Sequence, residues 1–530
     1  MRLKAKSIPE FREAMQASVK CWYAKRGLAG KRLYEKTIEI KTLAEKRIGE
    51  GFSRDQIKSA VQKEQADLLK YPCQISTIPL EDNTFCRLRS SGLSQDVSAL
   101  SLEQRNAQVH KLLSSAYLAH IKGLIMSEGH YAGLGTRLGL EKPKFCLTPS
   151  VLLESLMSFV ERAKDPVNSA DPIYQDLKKL IDEAGGLERL KTKFDNLADF
   201  SIGERIFIQK LFEVYSIAIY FYGMNAHEVR SCIQKLKYKI IINEKAGESI
   251  IETFIKNHFF QLDPQNVIFM KQSGHPLLKV DEAGDLIPDD QLPPSLGNHG
   301  LIPFQSMLDR QWYRILPTKA GGYFAEEALR SADYVDFQKE IEIGLVESVE
   351  DTTQLRAAYD HVFIGLIRKH GREEGFRMFM QIVAQKEINP QKGGFLGVID
   401  GKKNGIIESD YAPNLENKAI RLLNRNRNGF YFPARVDKTI MESGMIADLH
   451  PTLIINWKGN EAEVRIDPKI PQGDRNLYVK TQYLQFLPVA TIENLKDPID
   501  IISTLENMAY FDWNPDIKRF ARDFMGMHIS

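Results

Sequence analysis

The residues Gly133-Leu134-Gly135-Thr136-Arg137-Leu138-Gly139, with Lys142-Pro143-Lys144 close behind, are the part of this chain best suited to chemistry. Glycines at that density let backbone N–H groups approach a ligand with no Cβ in the way. Amides presented like this attract anions, and phosphate is the usual one. Arg137 and Lys144 bring fixed positive charge to the same place. Surface loops also carry glycines for ordinary turn reasons, so the order of the neighbouring parts matters. An apolar segment, Ile121 to Met126, precedes the loop and reads as a strand. A helix follows: Thr148 suits an N-cap and Pro149 the first helical position. Val151, Leu152, Leu156, Phe159 and Val160 then recur at helical spacing. Strand, glycine loop, basic residues and helix, in that order, make a phosphate cradle.

The rest of the chain has to position this loop. At 530 residues the chain exceeds one core and divides into two or three domains. A hydrophobic fraction of 43% and a charged fraction of 26% are those of a soluble globular protein. Cys21, Cys73, Cys86, Cys146 and Cys232 are scattered and odd in number. They point to a reducing, cytoplasmic setting and away from a disulfide framework or zinc site. No secretory h-region is found at the start. The most apolar stretch, Ile206 to Tyr222, is broken by Gln209, Lys210 and Glu213 and reads as a buried amphipathic helix, so no membrane span is expected. A net charge of +2 gives no nucleic-acid footprint. Residues 1–50 nevertheless carry 13 Lys/Arg against 6 Asp/Glu, a local +7. A solvated helical face is the leading reading, with docking to an acidic protein partner or membrane surface as the alternative.

Residues 1–110 have a helical texture and form an N-terminal region. Residues 150–235 are helical too, broken at Asp165-Pro166, Asp171-Pro172 and Gly185-Gly186, and read as an insertion between two strands. From residue 236 strands and helices alternate. Lys237 to Asn243 is a strand, Glu248 to Phe259 an amphipathic helix and Val267 to Lys271 a strand, a βαβ unit of the kind that builds parallel sheets. Glu340 to Val346 and Phe395 to Glu408 supply further strands, and a helical end begins near Asp500. The expected fold class is therefore α/β, with a mixed, mainly parallel sheet in a domain spanning 111–440 and a small β-rich C-terminal region at 441–530.

Ala132-Gly133-Leu134-Gly135-Thr136-Arg137-Leu138-Gly139 with Pro143-Lys144 resembles the nucleotide-binding signature of the UTP-dependent sugar-1-phosphate uridylyltransferases, the UDP-N-acetylhexosamine and UDP-glucose pyrophosphorylases. The family pattern is close to L-x-G-G-x-G-T-R-L-G followed by P-K; Ala132 stands here for its first glycine. Phe260 to Gln272 is similar to the family's "F-x-L-x-P-x-N-I-x-F-F-x-Q" run. Gly297-Asn298-His299-Gly300 resembles its tetrad beneath uracil and sugar, with His299 where a glycine is usual. The segments Gly394 to Val398 and Gly405 to Asp410 resemble a hairpin whose glutamate reaches sugar hydroxyls. Leu423 to Asn428 sits where the family has an asparagine-rich stretch, and Phe486-Leu487-Pro488-Val489 resembles "R-F-L-P-V-K".

The resemblance implies a Rossmann-like nucleotidyltransferase core that makes a UDP-sugar and pyrophosphate from UTP and a sugar 1-phosphate. Such in-line displacement needs positioning, charge neutralisation and a divalent ion. It implies catalytic roles for Arg137, Lys144 and Lys480, and nucleotide binding by Ala132, Gly133, Leu134, Gly135, Thr136, Gln272, Gly297 and Asn298. Sugar binding falls to His299, Gly397, Glu408, Asn424 and Asn426. Magnesium is the implied ion. The family's Asp-Asn metal pair is missing after Val346, which leaves Asp351 or Glu350 as candidates, with solvated loop acids as the alternative. The family's phosphate-facing arginine and lysine are Gln485 and Ala490 here. These departures favour, as the competing reading, a relative that binds UTP or a UDP-sugar and acts on a protein partner.

Overall fold

A computed structural model of the chain describes residues 7–54, 56–57, 60–61, 75–77, 101–165, 172–272, 274–289, 291, 299–318, 322–384, 394–399, 403–408, 422–443, 451–468, 478–484 and 495–527. Its strands in chain order are β1 (Ile75–Thr77), β2 (Ile125–His130), β3 (Lys237–Ile242), β4 (Val267–Lys271), β5 (Leu278–Val280), β6 (Leu286–Pro288), β7 (Trp312–Pro317) and β8 (Tyr323–Ala328). They continue with β9 (Ile343–Ser348), β10 (Met378–Ala384), β11 (Gly394–Ile399), β12 (Lys403–Glu408), β13 (Leu422–Tyr431), β14 (Thr452–Lys458), β15 (Glu461–Asp467) and β16 (Thr481–Leu484). The helices that bear on the site are α1 (Ile8–Ala24), α2 (Lys31–Gly49), α3 (Leu102–Ile121), α4 (Pro149–Arg162), α5 (Pro172–Glu183), α6 (Leu187–Phe194), α7 (Ile202–Ser216), α8 (Ala226–Gln234), α9 (Gly247–Lys256), α10 (His361–Glu373) and α11 (Asp500–Trp513).

The fold is α/β. Twelve of the described strands form one mixed sheet with the path β1-β11-β13-β9-β2-β3-β4-β7-β8. Its centre, β9-β2-β3-β4, is parallel throughout, and these strands are almost wholly buried. That explains their unbroken apolar runs, such as Ile240-Ile241-Ile242, since both faces are covered. The β3-α9-β4 unit falls where periodicity predicts it. The strand before the glycine loop starts later than expected, at Ile125, because Ile121 is still the last residue of α3. Helices α4 to α8, with a π-turn over Ile217–Phe221 between α7 and α8, stand between β2 and β3 as an insertion. They cover one face through a ring cluster in which Phe207 lies 4.9 Å from both Phe254 and Phe260. No helix among the described residues is long and apolar enough to cross a membrane.

A second sheet, β14-β15-β5-β6, joins residues 278–288 to 452–467. Helices α1 and α2 cover it, sharing a core that includes Phe11, Trp22, Leu278, Leu453 and Ile466. Arg12, Lys20 and Arg54 reach Gly274 O, Asp285 and Gly459 O, so part of the basic N-terminal charge is used within the chain. The expected C-terminal region 441–530 is therefore not one unit. Its strands complete this small sheet, whereas α11 packs against the insertion helices α4 and α7. The N-terminal region is divided as well, since α3 runs through residue 110 and packs on α10.

Helices α3 and α10 meet backbone to backbone: a Cβ at Gly365 would stand 2.4 Å from the Leu112 carbonyl oxygen. Gly365→Ala should part the two helices and cost about 1–3 kcal/mol of overpacking. Urea melts read this directly, and an unchanged midpoint would mean that the contact is not tight.

Candidate functional site

Parallel strands aligned in register bring their C-terminal ends out on one edge, and that edge is where the irregular backbone needed for binding collects. Here His130 is level with Ile241 and Ser348, and Ile242 with Lys271. The segments that follow, from Tyr131, Asn243, Gln272 and Val349, therefore lie side by side.

The glycine loop folds back on itself beyond β2. Gly135 N donates to Lys142 O at 3.0 Å and Lys144 N to Gly133 O at 2.8 Å, which brings Leu134 opposite Pro143. Thr136–Leu138 and Lys144–Cys146 are single 3-10 turns. Between them Gly139 takes φ +70°, which suits glycine. These turns, and not α4, follow the glycines directly; α4 starts ten residues past Gly139. The N–H groups of Gly133 and Leu134 make no backbone hydrogen bond among the described residues. At Gly133 φ is not positive, and an added Cβ would meet nothing closer than 3.9 Å. The packing of the chain does not itself demand glycine there, so close approach of a ligand remains a reason for it. Asn243 holds the loop from the next strand: its Nδ2 donates to Ala132 O at 3.0 Å, while its Oδ1 accepts from Lys245 N and Ala246 N ahead of α9.

Charge at this edge is arranged in pairs. Lys144 is only 5% exposed, and its Nζ lies 2.7 Å from Glu350 Oε1. Lys496 Nζ approaches the other oxygen of Glu350 at 3.7 Å. The backbone is joined as well, with Leu495 N donating to Glu350 O at 2.8 Å. Burial alone would raise the Glu350 pKa, but Lys144 first and Lys496 next outweigh it and hold the carboxyl below its usual value. Arg137, mostly exposed, stands 3.8 Å from Asp497. Asp500 Oδ2 accepts from Lys496 N and Asp497 N, fixing that segment at the start of α11. Deeper in, Lys210 is fully buried against Glu347, and its Nζ reaches Tyr131 Oη at 3.4 Å. Neither Lys496, Asn243 nor Lys210 was among the residues expected from sequence; Asn243 comes from the end of β3, Lys210 from α7 and Lys496 from the segment ahead of α11.

Of the residues expected here, Ala132 to Arg137, Lys144, Gln272, Glu350 and Asp351 do lie at this edge. Gln272 is buried, its N–H donating to Ile242 O at 2.8 Å. Gly397 is buried in β11, level with Thr77 and Gly405. The backbones of Glu408, Asn424 and Asn426 lie in β12 and β13 and that of His299 in a 3-10 turn, with their side chains outside the described residues. Gly297, Asn298, Gln485 and Ala490 also lie outside the described residues.

Two expectations are corrected by the geometry. Lys480 immediately precedes β16, whose first residue Thr481 pairs with Met378, level with Phe430, Gly344 and Met126. That is the N-terminal end of the parallel strands, about 20 Å along the strand direction from the glycine loop. Its ammonium donates to Glu374 O and covers the Phe376 ring, so it is no substitute for a phosphate-facing lysine. Asp351 is the second. It is buried, with Oδ2 2.6 Å from Arg427 Nε and Oδ1 accepting from Thr353 N and Oγ1. Magnesium needs carboxylate oxygens free to coordinate. Asp351 is tied to Arg427 and Glu350 to Lys144, so this pair does not fit the ion in this arrangement. No group of three or more metal-ligating side chains occurs among the described residues.

No protein-family model and no curated protein sequence matches the chain. Among solved structures it is similar to the uridine diphosphate N-acetylglucosamine pyrophosphorylase from Trypanosoma brucei in complex with inhibitor, at 15% identity over 76% of this chain and 70% of that one, TM-score 0.47. It is also similar to a putative UDP-N-acetylglucosamine pyrophosphorylase from Entamoeba histolytica, at 14% identity over 75% and 82%, TM-score 0.46. A mutant UDP-glucose pyrophosphorylase from Leishmania major aligns at 13% identity over 86% and 78%, TM-score 0.44. With scores below 0.5 at such identities, any assignment of chemistry rests on this chain's own site.

Lys144 is a buried partner and not a surface lysine. Lys144→Met should therefore cost about 1–3 kcal/mol by leaving Glu350 half-paired. Adding Glu350→Gln should restore most of that loss in urea melts. Equal destabilisation by the single and double changes would show that the pair does not couple.

Proposed function

We propose that this chain is a nucleotidyltransferase that binds UTP at the glycine loop and transfers its uridylyl group to a sugar 1-phosphate. The observation that carries this reading is the glycine loop at the C-terminal end of the four central parallel strands, with Lys144, Lys496 and Arg137 around it. That collection of amides and cations suits a polyphosphate better than a neutral ligand. In the reaction an oxygen of the sugar phosphate attacks the α-phosphorus of UTP and pyrophosphate leaves. The chain contributes positioning through the Gly133 and Leu134 amides, and charge neutralisation on the leaving oxygens through Lys144 and Arg137. Gln272, buried at the end of β4 two strands away, is the candidate to read the pyrimidine edge. No step is assigned to magnesium, because Glu350 and Asp351 are engaged by cations.

Those same pairings favour a second reading, in which the chain binds a uridine nucleotide without efficient transfer. Two measurements separate the readings. Calorimetry should give tighter binding of UTP than of ATP; equal binding of the two, or none at millimolar ligand, would overturn both. Pyrophosphate release from UTP should require glucose 1-phosphate or N-acetylglucosamine 1-phosphate, assayed with magnesium present. Binding without release under either of these acceptors would leave the second reading standing in place of the first, and release only with a protein acceptor would overturn both the sugar-phosphate acceptor and the second reading.

A further inference from the structure

We infer that Lys496 and Lys144 form a two-lysine clamp on the phosphate chain, held ready by Glu350 as an internal counter-ion that the ligand displaces. The inference rests on the nucleotide reading of the glycine loop and names how that site is charged and gated. Its basis is the placement of three groups from distant parts of the chain. Glu350 Oε1 lies 2.7 Å from Lys144 Nζ, and Oε2 lies 3.7 Å from Lys496 Nζ. A Cβ built on Gly133 would stand 3.9 Å from that same Oε1 and 3.9 Å from Lys144 Cδ. The carboxylate therefore occupies the space beside the loop amides, where an anionic ligand would sit.

Exchange of one anion for another needs a carboxylate able to leave. Glu350 retains 28% side-chain exposure and can turn toward solvent, whereas its neighbour Asp351 retains 3% and is locked to Arg427. Lys496 is 29% exposed and its longer, 3.7 Å contact leaves it room to move onto a ligand oxygen. Its backbone is anchored: Leu495 N bonds to Glu350 O and Lys496 N to Asp500 Oδ2. A fixed backbone with a loosely held ammonium is what a clamp needs. A polyphosphate carries several negative charges against one on Glu350, so it outcompetes the internal ion while recruiting both lysines.

Pyrophosphate and UTP, each titrated alone by calorimetry in chelator-containing buffer, test this. Lys496→Gln should weaken pyrophosphate binding about tenfold or more, and Lys496→Arg should recover most of it. Glu350→Gln should act in the opposite direction and tighten binding about threefold to tenfold, since the competing charge is gone. A purely structural role for Lys496 would not give this opposition of sign. Circular dichroism melts accompany each variant, and should Lys496→Gln fail to fold, the Glu350→Gln arm decides alone. Unchanged pyrophosphate and UTP affinity in a folded Lys496→Gln protein, or weaker binding in Glu350→Gln, overturns the clamp while the nucleotide reading stands. Absence of binding by the wild-type chain to either ligand overturns the nucleotide reading and the clamp together.

Discussion

The ammonium of Lys210, fully buried on α7, pairs with the carboxylate of Glu347 near the end of β9. An isolated buried charge costs several kcal/mol, so any movement of α7 that separated the two would be strongly disfavoured. The pair adds little net stability of its own, because both charges had to leave water. What it fixes is position. Burial would push the lysine toward its neutral form, and the Glu347 charge opposes this. Tyr131, Phe207, Tyr238 and Tyr359 lie around it, Tyr238 and Tyr359 sharing a 3.0 Å hydrogen bond between their hydroxyls. A helical insertion of some 85 residues is thereby held to the edge of the sheet from which the glycine loop emerges.

The end of β9 and the residues after it repeat this arrangement. Glu347, Glu350 and Asp351 are each matched by a cation from elsewhere: Lys210 from the insertion, Lys144 from beyond the glycine loop and Arg427 from β13. Each contact draws a different segment onto one short loop, and exposure falls in a graded way. Glu347 and Asp351 are sealed, while Glu350 faces the opening. The first two hold structure, and only the third is placed to respond to a ligand.

Much of the fold was legible because its signals are local. The run Lys237 to Lys271 carried its own strand, helix and strand periodicity, and the helical end expected near Asp500 is α11. The glycine loop was legible for the same reason. The charge partners were not, since Glu350 meets Lys144 across 206 positions and Asp351 meets Arg427 across 76. Lys480 shows the converse. Its rank along the chain suited a phosphate-facing lysine, but strand direction decides which edge a residue reaches, and β16 runs parallel to β10 with Lys480 at its near end. The division of residues 441–530 was hidden likewise, because β15 finds β5 and α11 finds α7 through contacts that no single stretch announces.

The arrival of Lys496 at the loop can be traced back to one side chain far from it. Arg205, on α7 and without exposed surface, donates to the carbonyls of Ala198, Phe200 and Met508 and to the Asp512 carboxylate. Two of those partners lie on α11, so the guanidinium fastens that helix to the insertion with planar, charge-assisted hydrogen bonds that a lysine could not reproduce. Asn507 Nδ2 adds a 3.2 Å bond from α11 to Thr352 Oγ1, next to Asp351. The start of α11 is thus set relative to the Glu350 loop by two independent attachments, and Asp500 at its first turn orients Lys496 and Asp497. Position passes from Arg205 to α11, from α11 to the 495–500 segment, and from there to Glu350 and Arg137. The insertion and the C-terminal helix, which the sheet does not need for its own pairing, are what bring the second cation to the glycine loop.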